Sequence, residues 1–312
     1  MKKIVITRPI PDSGIKLLQK QKDFKVVIRK TDSPIPREEL LKIVRGADAI
    51  LSILTDKIDE EVLKAAGPQL KIVANFAVGF DNIDVEAIKN NNVIATNTPV
   101  PEMTEAVAEH TFALMLALAR RLVESDNFTR RGEFHGWGPQ MLLGSSIAGK
   151  TLGIIGMGRI GSMVARHAVN GFGMKLIYTS THRTPEIEKE FNAKHVSLAQ
   201  LLSKSDFVGV HVPLLPTTRH LIGTKELNQM KPTAFLINTS RGPIICEKDL
   251  VIALQKKKIA GAGLDVFECE PHIGCDAFDT RVLSKLQNVI LTPHTASATI
   301  EARQAMSLCA AK

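Results

Sequence analysis

The run Thr151-Leu-Gly-Ile-Ile-Gly156-Met-Gly158-Arg-Ile-Gly161 spaces three glycines as G-x-G-x-x-G between an apolar, strand-like segment and a helix-compatible one. In that context the first glycine makes a tight turn, the second lets backbone approach a pyrophosphate, and the third lets helix and strand pack closely. A helix opening at Arg159 and Ile160 would turn free N–H groups and a positive dipole end toward phosphate oxygens. The spacing therefore points to a dinucleotide. The plain alternative is a glycine-rich turn with no ligand.

About 20 residues past the glycines, units of this kind that bind NAD carry an acidic side chain for the ribose hydroxyls. Here the second strand reads Lys175-Leu-Ile-Tyr178 and continues Thr179-Ser180-Thr181-His182-Arg183, with no carboxylate before Glu186. Hydroxyls followed by a histidine and an arginine suit a 2′-phosphate, which wants donors and positive charge. Ser180, Thr181, His182 and Arg183 thus favour NADP(H), with NAD(H) admissible. The plain alternative is that Arg183 is a solvated loop cation.

Three polar segments close later strand-like runs. Asn238-Thr239-Ser240-Arg241-Gly242 offers a guanidinium, which grips a carboxylate through two parallel hydrogen bonds. Alone, it would serve a structural ion pair as well. In Gly263-Leu-Asp265-Val-Phe-Glu268-Cys269-Glu270-Pro271, the proline restricts Glu270 to extended backbone and directs its side chain. In Leu291-Thr-Pro293-His294-Thr-Ala296-Ser297, His294 follows a proline at an expected domain boundary. A histidine beside a carboxylate holds its proton more tightly, which suits a donor to a carbonyl oxygen. Clamp, proton donor and tuning charge are the parts that hydride transfer to a 2-oxo acid needs.

The elements around these segments alternate short β-type runs with helical patterns, which argues for α/β units and parallel sheets. Strands are expected near residues 4–6, 25–28, 49–53, 71–75 and 93–95, with helices such as 37–44 and 59–66 between them. Thr98-Pro-Val-Pro101 reads as a boundary. One long helix is expected over 102–130, buried at its centre, followed by a loop from Gly132 to Ser146 that carries Trp137. After the glycine unit, strands are expected near 207–211, 234–238, 262–265 and 289–291, with a second boundary at Thr292-Pro293. The dinucleotide part, 100–292, is thus inserted into a domain made of 1–99 and 293–312, with the cleft expected between them.

Composition narrows the class. The 312 residues carry 40 Lys and Arg against 32 Asp and Glu, a net charge of +8. The cations are scattered, and Lys256-Lys257-Lys258 closes a helical segment, where cations suit the dipole. With one Trp and one Tyr there is no set of stacking platforms, so no nucleic-acid partner is expected. The longest apolar runs are too short to span a membrane, and the N-terminus lacks a signal-peptide core, so a cytoplasmic protein is expected. Cysteines at 246, 269, 275 and 309 show no secreted disulfide framework. Cys269, His272 and Cys275 could be read as zinc ligands, but the spacing and the missing fourth ligand argue against a metal.

Taken in order, G-M-G-R-I-G, N-T-S-R-G, G-L-D-V-F-E-C-E-P and T-P-H-T-A-S resemble the D-isomer-specific 2-hydroxyacid dehydrogenases. The resemblance also covers Ala77-Val78-Gly79-Phe80-Asp81-Asn82-Ile83-Asp84 and Val107-Ala108-Glu109-His110-Thr111, and within the family runs nearest to the glyoxylate/hydroxypyruvate reductases. It implies a Rossmann-type dinucleotide-binding domain inserted into a flavodoxin-like substrate domain. It implies that Arg241 binds the substrate carboxylate and carbonyl, His294 donates the proton, and Glu270 holds His294. Leu54, Val78 and Gly79 would complete the substrate site. The cofactor would meet Thr104, Gly156, Gly158, Arg159, Ile160, Gly161, Ser180, Thr181, His182, Arg183, Pro213, Thr218, Thr239, Ser240, Asp265, His294 and Ala296, with Asp265 on the nicotinamide carboxamide.

Relatives acting on phosphorylated substrates place an arginine in the segment that here reads Ser52-Ile-Leu54-Thr55, which argues against such a substrate. The implied activity is NADPH-dependent reduction of glyoxylate or hydroxypyruvate to glycolate or D-glycerate. A 2-ketoaldonate reductase and an NAD-linked D-2-hydroxyacid dehydrogenase are alternatives, to be decided around Leu54 and Met141. A nucleotide-sensing corepressor is the alternative from another class. Family members usually dimerise through the cofactor domain, with the Gly132–Ser146 loop as the expected arm. The chain ends at Lys312, before the longer return segment of its relatives, which leaves the docking of the last helix open.

Overall fold

The computed structural model describes residues 1–270 and 278–312, with 278–280 described by backbone alone. Pro271, His272 and Cys275 therefore lie outside the described residues. The chain divides into two compact units, Met1–Met103 with Ala298–Lys312, and Thr104–Ser297.

In the first unit, β1 (Lys2–Ile6), β2 (Phe24–Ile28), β3 (Ala49–Ile53), β4 (Ile72–Phe76) and β5 (Ile94–Thr96) form a parallel sheet in the order β2-β1-β3-β4-β5. That is the flavodoxin-like order. Helices α1 (Asp12–Gln19), α2 (Arg37–Ile43), α3 (Glu60–Ala66) and α4 (Val85–Asn90) are the crossovers. The central strands are apolar almost throughout because crossover helices cover a parallel sheet on both faces. Val5, Ile50 and Val73 are fully buried against Val44, Ile58 and Val62. Asp59 and Asp84 start α3 and α4 by accepting the backbone N–H of Val62 and Ala87, at 3.3 and 2.9 Å. The last helix of the chain (Ile300–Ala311) does dock here: Ser307 Oγ accepts from Gly14 N at 3.0 Å and donates to Pro11 O at 2.6 Å.

The second unit opens with α5 (Pro101–Ala119), whose first three residues belong to the other unit, and α6 (Leu122–Arg130). The sequence pattern reads these as one helix. The structure breaks it at Arg121, which takes a left-handed conformation and locks it with a paired contact to Glu124 at 2.8 and 2.6 Å. Ser145 N, at the end of the following loop, donates to Ala119 O at 2.7 Å and satisfies a carbonyl of the terminated helix. Then come β6 (Thr151–Ile155), α7 (Arg159–Phe172), β7 (Lys175–Thr179), α8 (Pro185–Phe191), β8 (Lys194–His195), α9 (Leu198–Lys204), β9 (Phe207–Val210), α10 (Thr224–Leu227), β10 (Phe235–Asn238), α11 (Glu247–Gln255), β11 (Gly261–Leu264), α12 (Phe278–Leu283) and β12 (Val289–Leu291). The strands pair in parallel as β12-β11-β10-β9-β6-β7-β8, a doubly wound order whose switch point lies between β6 and β9. One apolar cluster centres on Leu202, Val208, Leu236 and Leu250, and another on Met115, Ile154, Val164 and Tyr178.

The unit boundaries fall a few residues beyond those read from the prolines. Pro101 opens α5 rather than separating two segments, as a residue without an N–H can at a helix start. Pro293 likewise leaves its successor attached to the second unit, because the 292–296 turn is held on Asp265. His294 consequently belongs to the second unit and not to the substrate domain to which the sequence boundary assigned it.

Candidate active site

The glycine loop follows β6 as its spacing requires. Gly156 has φ +98°, and a Cβ there would meet Val212 Cγ1 at 2.8 Å and the His211 carbonyl at 2.9 Å. A Cβ on Gly161 would lie 2.1 Å from Gly156 O, so helix and turn pack backbone to backbone. At Gly158, which begins α7 in extended conformation, a Cβ would meet nothing within 4 Å. The glycine therefore leaves open space beside the first N–H groups of a helix whose opening residues are Arg159 and Ile160. That is the space a close pyrophosphate needs, and the residues fit a dinucleotide.

Beyond β7, the Ser180–Arg183 turn is held from both sides. His195 Nε2 bonds Ser180 O at 3.1 Å, and Tyr178 Oη, on the strand, accepts Thr184 N at 2.8 Å. Arg183 is largely exposed, yet its guanidinium is taken by Glu188 through Nε at 3.0 Å and Nη2 at 2.5 Å. Sequence reasoning missed Glu188 because a carboxylate on the first turns of α8 reads as a helix charge until the fold turns it back onto the loop.

At the far ends of β10 and β11 the polar segments come together. Asn238, 1% exposed, uses its amide to accept Ser240 N at 3.0 Å and to donate to Arg241 O at 2.9 Å, which shapes the Arg241 turn. A Cβ on Gly242 would fall 1.9 Å from the Phe267 carbonyl carbon. Only glycine lets the Arg241 turn lie directly on the strand exit that carries Glu270. Arg241 Nη1 donates to Ser240 O at 2.9 Å. Glu270 accepts Phe267 N at Oε2 (3.3 Å), and its Oε1 lies 2.9 Å from His294 Nδ1. Both side chains are partly buried, and the pairing puts a proton on Nδ1. Nε2, the other ring nitrogen, is then the atom able to exchange a proton with a ligand.

His294 is held in left-handed backbone, φ +53°, a conformation that costs energy in any residue bearing a side chain and needs support. Asp265 supplies it. Its backbone carbonyl accepts His294 N at 2.9 Å, and its wholly buried carboxylate accepts Thr292 Oγ1 at 2.6 Å and the N–H groups of Thr295 and Ala296 at 2.8 Å each. Burial alone would raise the pKa of this carboxyl. The bonds from His110, Thr292, Thr295 and Ala296 outweigh it, and the net shift is downward. His110 lies 3.0 Å from Thr292 Oγ1 through Nε2; since that hydroxyl spends its proton on Asp265, Nε2 carries the hydrogen. The sequence marks His110 within a motif without showing what it holds.

A family profile for the NAD-binding domain of D-isomer-specific 2-hydroxyacid dehydrogenases matches residues 112–296. The chain belongs to this family. It is an NAD(P)-dependent dehydrogenase with a small 2-hydroxy or 2-oxo acid as substrate. It is 49% identical to the glyoxylate reductase of Thermococcus litoralis, over 99% of this chain and 92% of the relative. The glyoxylate reductase of Pyrococcus furiosus is 46% identical, over 98% and 89%. Among solved structures, a protein of Thermus thermophilus superposes with a TM-score of 0.90 at 37% identity, covering 99% of this chain and 94% of that one. D-lactate dehydrogenase from Aquifex aeolicus, complexed with NAD and lactic acid, gives 0.84 at 32%, covering 98% and 92%.

Other positions implied by the family are distributed as follows. Thr239 is buried and bonded to Thr111 Oγ1 at 3.1 Å; Ser240 Oγ donates to Val212 O. Thr218 Oγ1 closes its own turn, donating to Pro213 O at 2.6 Å and accepting Leu215 N at 2.8 Å. Thr104 and Ala296 are buried. In the first unit, Leu54 follows β3 and Val78-Gly79 follow the adjacent β4, so the sheet brings both loops to one edge. Asn75 Nδ2 donates to Gly79 O at 3.1 Å, Asn97 Nδ2 to Val78 O at 2.7 Å, and Asn82 Nδ2 to Ile53 O at 3.1 Å. These asparagines fix the loops and were not singled out from sequence. Among the described residues no group of three His, Cys, Asp or Glu is arranged to hold a metal, and no helix is long and apolar enough to cross a membrane.

Proposed function

We propose that this dehydrogenase reduces glyoxylate or hydroxypyruvate to glycolate or D-glycerate, with NADPH preferred over NADH. The observation that carries the chemistry is the 2.9 Å contact between His294 Nδ1 and Glu270 Oε1, which commits one ring nitrogen and leaves Nε2 for proton transfer. The likeness to glyoxylate reductases supports the substrate.

On this reading Arg241 binds the substrate carboxylate with its planar fork, aided by the backbone of Val78 and Gly79 and with Leu54 beside the substrate. His294 gives the proton on Nε2 to the carbonyl oxygen, and Glu270 keeps the ring oriented by accepting Nδ1–H throughout. His294 afterwards regains a proton from solvent at Nε2. The bound nicotinamide would supply the hydride. Gly156, Gly158, Arg159, Ile160 and Gly161 would hold its pyrophosphate, Ser180, Thr181, His182 and Arg183 the 2′-phosphate, and Thr104, Pro213, Thr218, Thr239, Ser240, Asp265 and Ala296 the rest. A homodimer through the cofactor domain is supported by the exposed apolar side chains of Leu122, Val123, Phe134, Trp137 and Leu143.

Initial rates of NADPH and NADH oxidation with glyoxylate and hydroxypyruvate test the reading. Faster turnover with NADPH is expected. Arg183→Asp should raise KM for NADPH by about 30- to 100-fold, since it removes a charge-assisted bond and adds a like charge. KM for NADH should stay within about threefold, as NADH has no 2′-phosphate for it to meet. Equal weakening of both nucleotides would remove the 2′-phosphate assignment.

A further inference from the structure

We propose that Tyr178 and Glu188 are positioning residues that mount Arg183 as the 2′-phosphate ligand, and thereby set the preference for NADPH over NADH. The inference rests on the cofactor reading above and concerns residues that would not themselves touch the nucleotide.

The mount starts in the core. Tyr178 is fully buried on β7, its ring packed against His195 with centroids 5.1 Å apart. Its hydroxyl is the one part that reaches the loop. It donates to Glu188 Oε1 at 2.6 Å and accepts Thr184 N at 2.8 Å, so one buried oxygen ties the end of the loop to the first turn of α8. Glu188 then holds Arg183 through Nε and Nη2. The Arg183 bond first, and the Tyr178 bond second, hold the Glu188 carboxyl down to about 2, so the carboxylate stays charged throughout the working range.

The geometry of the fork matters here. A guanidinium has five donors on two usable edges. Glu188 occupies the edge formed by Nε and one hydrogen of Nη2, while the edge formed by Nη1 and the other Nη2 hydrogen is the one that can take a phosphate. An exposed arginine normally loses most of its rotamer freedom when it binds an anion. Arg183 side-chain exposure is 67%, yet both its near-edge donors are already fixed. Much of that loss is therefore incurred before a nucleotide arrives, which favours NADPH without adding a contact.

Removing Glu188 outright would mix two effects, because its negative charge also repels a phosphate. Tyr178→Phe separates them: it deletes the anchor and leaves every charge in place. The dissociation constants of NADPH and NADH are measured by nucleotide fluorescence for the full-length wild type, Tyr178→Phe, Arg183→Ala and the double variant. Tyr178→Phe is expected to weaken NADPH roughly three- to tenfold and NADH less than twofold, with no further effect on NADPH once Arg183 is alanine. If Tyr178→Phe does not fold, Glu188→Asp keeps the charge, shortens the reach and carries the same expectation. An unchanged NADPH-to-NADH ratio, or equal weakening of both, overturns the mount. Should Arg183→Ala itself weaken both nucleotides equally, the parent assignment of Arg183 falls as well.

Discussion

His294→Asn is expected to lower kcat for hydroxypyruvate reduction by about a thousandfold, within the range a positioned proton donor contributes. Asparagine is chosen for the backbone. Position 294 has φ +53°, which asparagine tolerates better than other polar residues, so the turn held by Asp265 should survive the change. What is lost is a ring nitrogen that can carry a transferable proton while its partner stays on Glu270 at 2.9 Å. An amide can donate a hydrogen bond to the carbonyl but cannot give up a proton to the forming alkoxide. The loss should appear in kcat, with nucleotide affinity changed little and the melting temperature close to the parent's. Steady-state kinetics with a thermal melt decide it. A loss smaller than tenfold would take the proton-donor role away from His294.

The same residues show how far the sequence could be read. The strand-ending segments at Arg241, Glu270 and His294 were legible because each is a polar cluster closing an apolar run, and parallel sheets put such clusters at one edge. The glycine spacing was legible because each glycine has a separate steric reason. Long-range supports were not. Arg121 sits in a continuous helical pattern, which shows neither its lock on Glu124 nor Ser145, brought back by a loop onto the Ala119 carbonyl. Asp265 reads from the sequence as a residue for the cofactor, and nothing in the pattern shows that its oxygens also hold Thr292, Thr295 and Ala296. Glu188 is the clearest case: the pattern of α8 gives no hint that Tyr178 and Arg183 converge on it. Such pairings are properties of the folded backbone, and no local spacing encodes them. The division into compact units falls a few residues past the prolines for a related reason. A proline limits local conformation, while the hydrogen bonds around it decide which unit keeps the neighbouring residue.

Arg241→Lys should reduce kcat/KM for the oxo acid by about a hundredfold or more, although it keeps the charge. The reason lies in how the guanidinium is anchored. Asn238 shapes the turn from both sides, Gly242 presses it onto the Phe267–Glu268 backbone, and Nη1 is bonded to Ser240 O at 2.9 Å. A guanidinium can keep that bond and still offer two parallel donors to a carboxylate. A lysine ammonium has three donors around one atom, and one kept on Ser240 O would tilt the others away from the carboxylate plane. The substrate would still bind, by charge, but its carbonyl would no longer be aligned with His294. The fall should therefore be shared between kcat and KM, with NADPH affinity preserved. Kinetics within about fivefold of the parent would mean that charge alone is enough, and would reduce Arg241 to an electrostatic attractor.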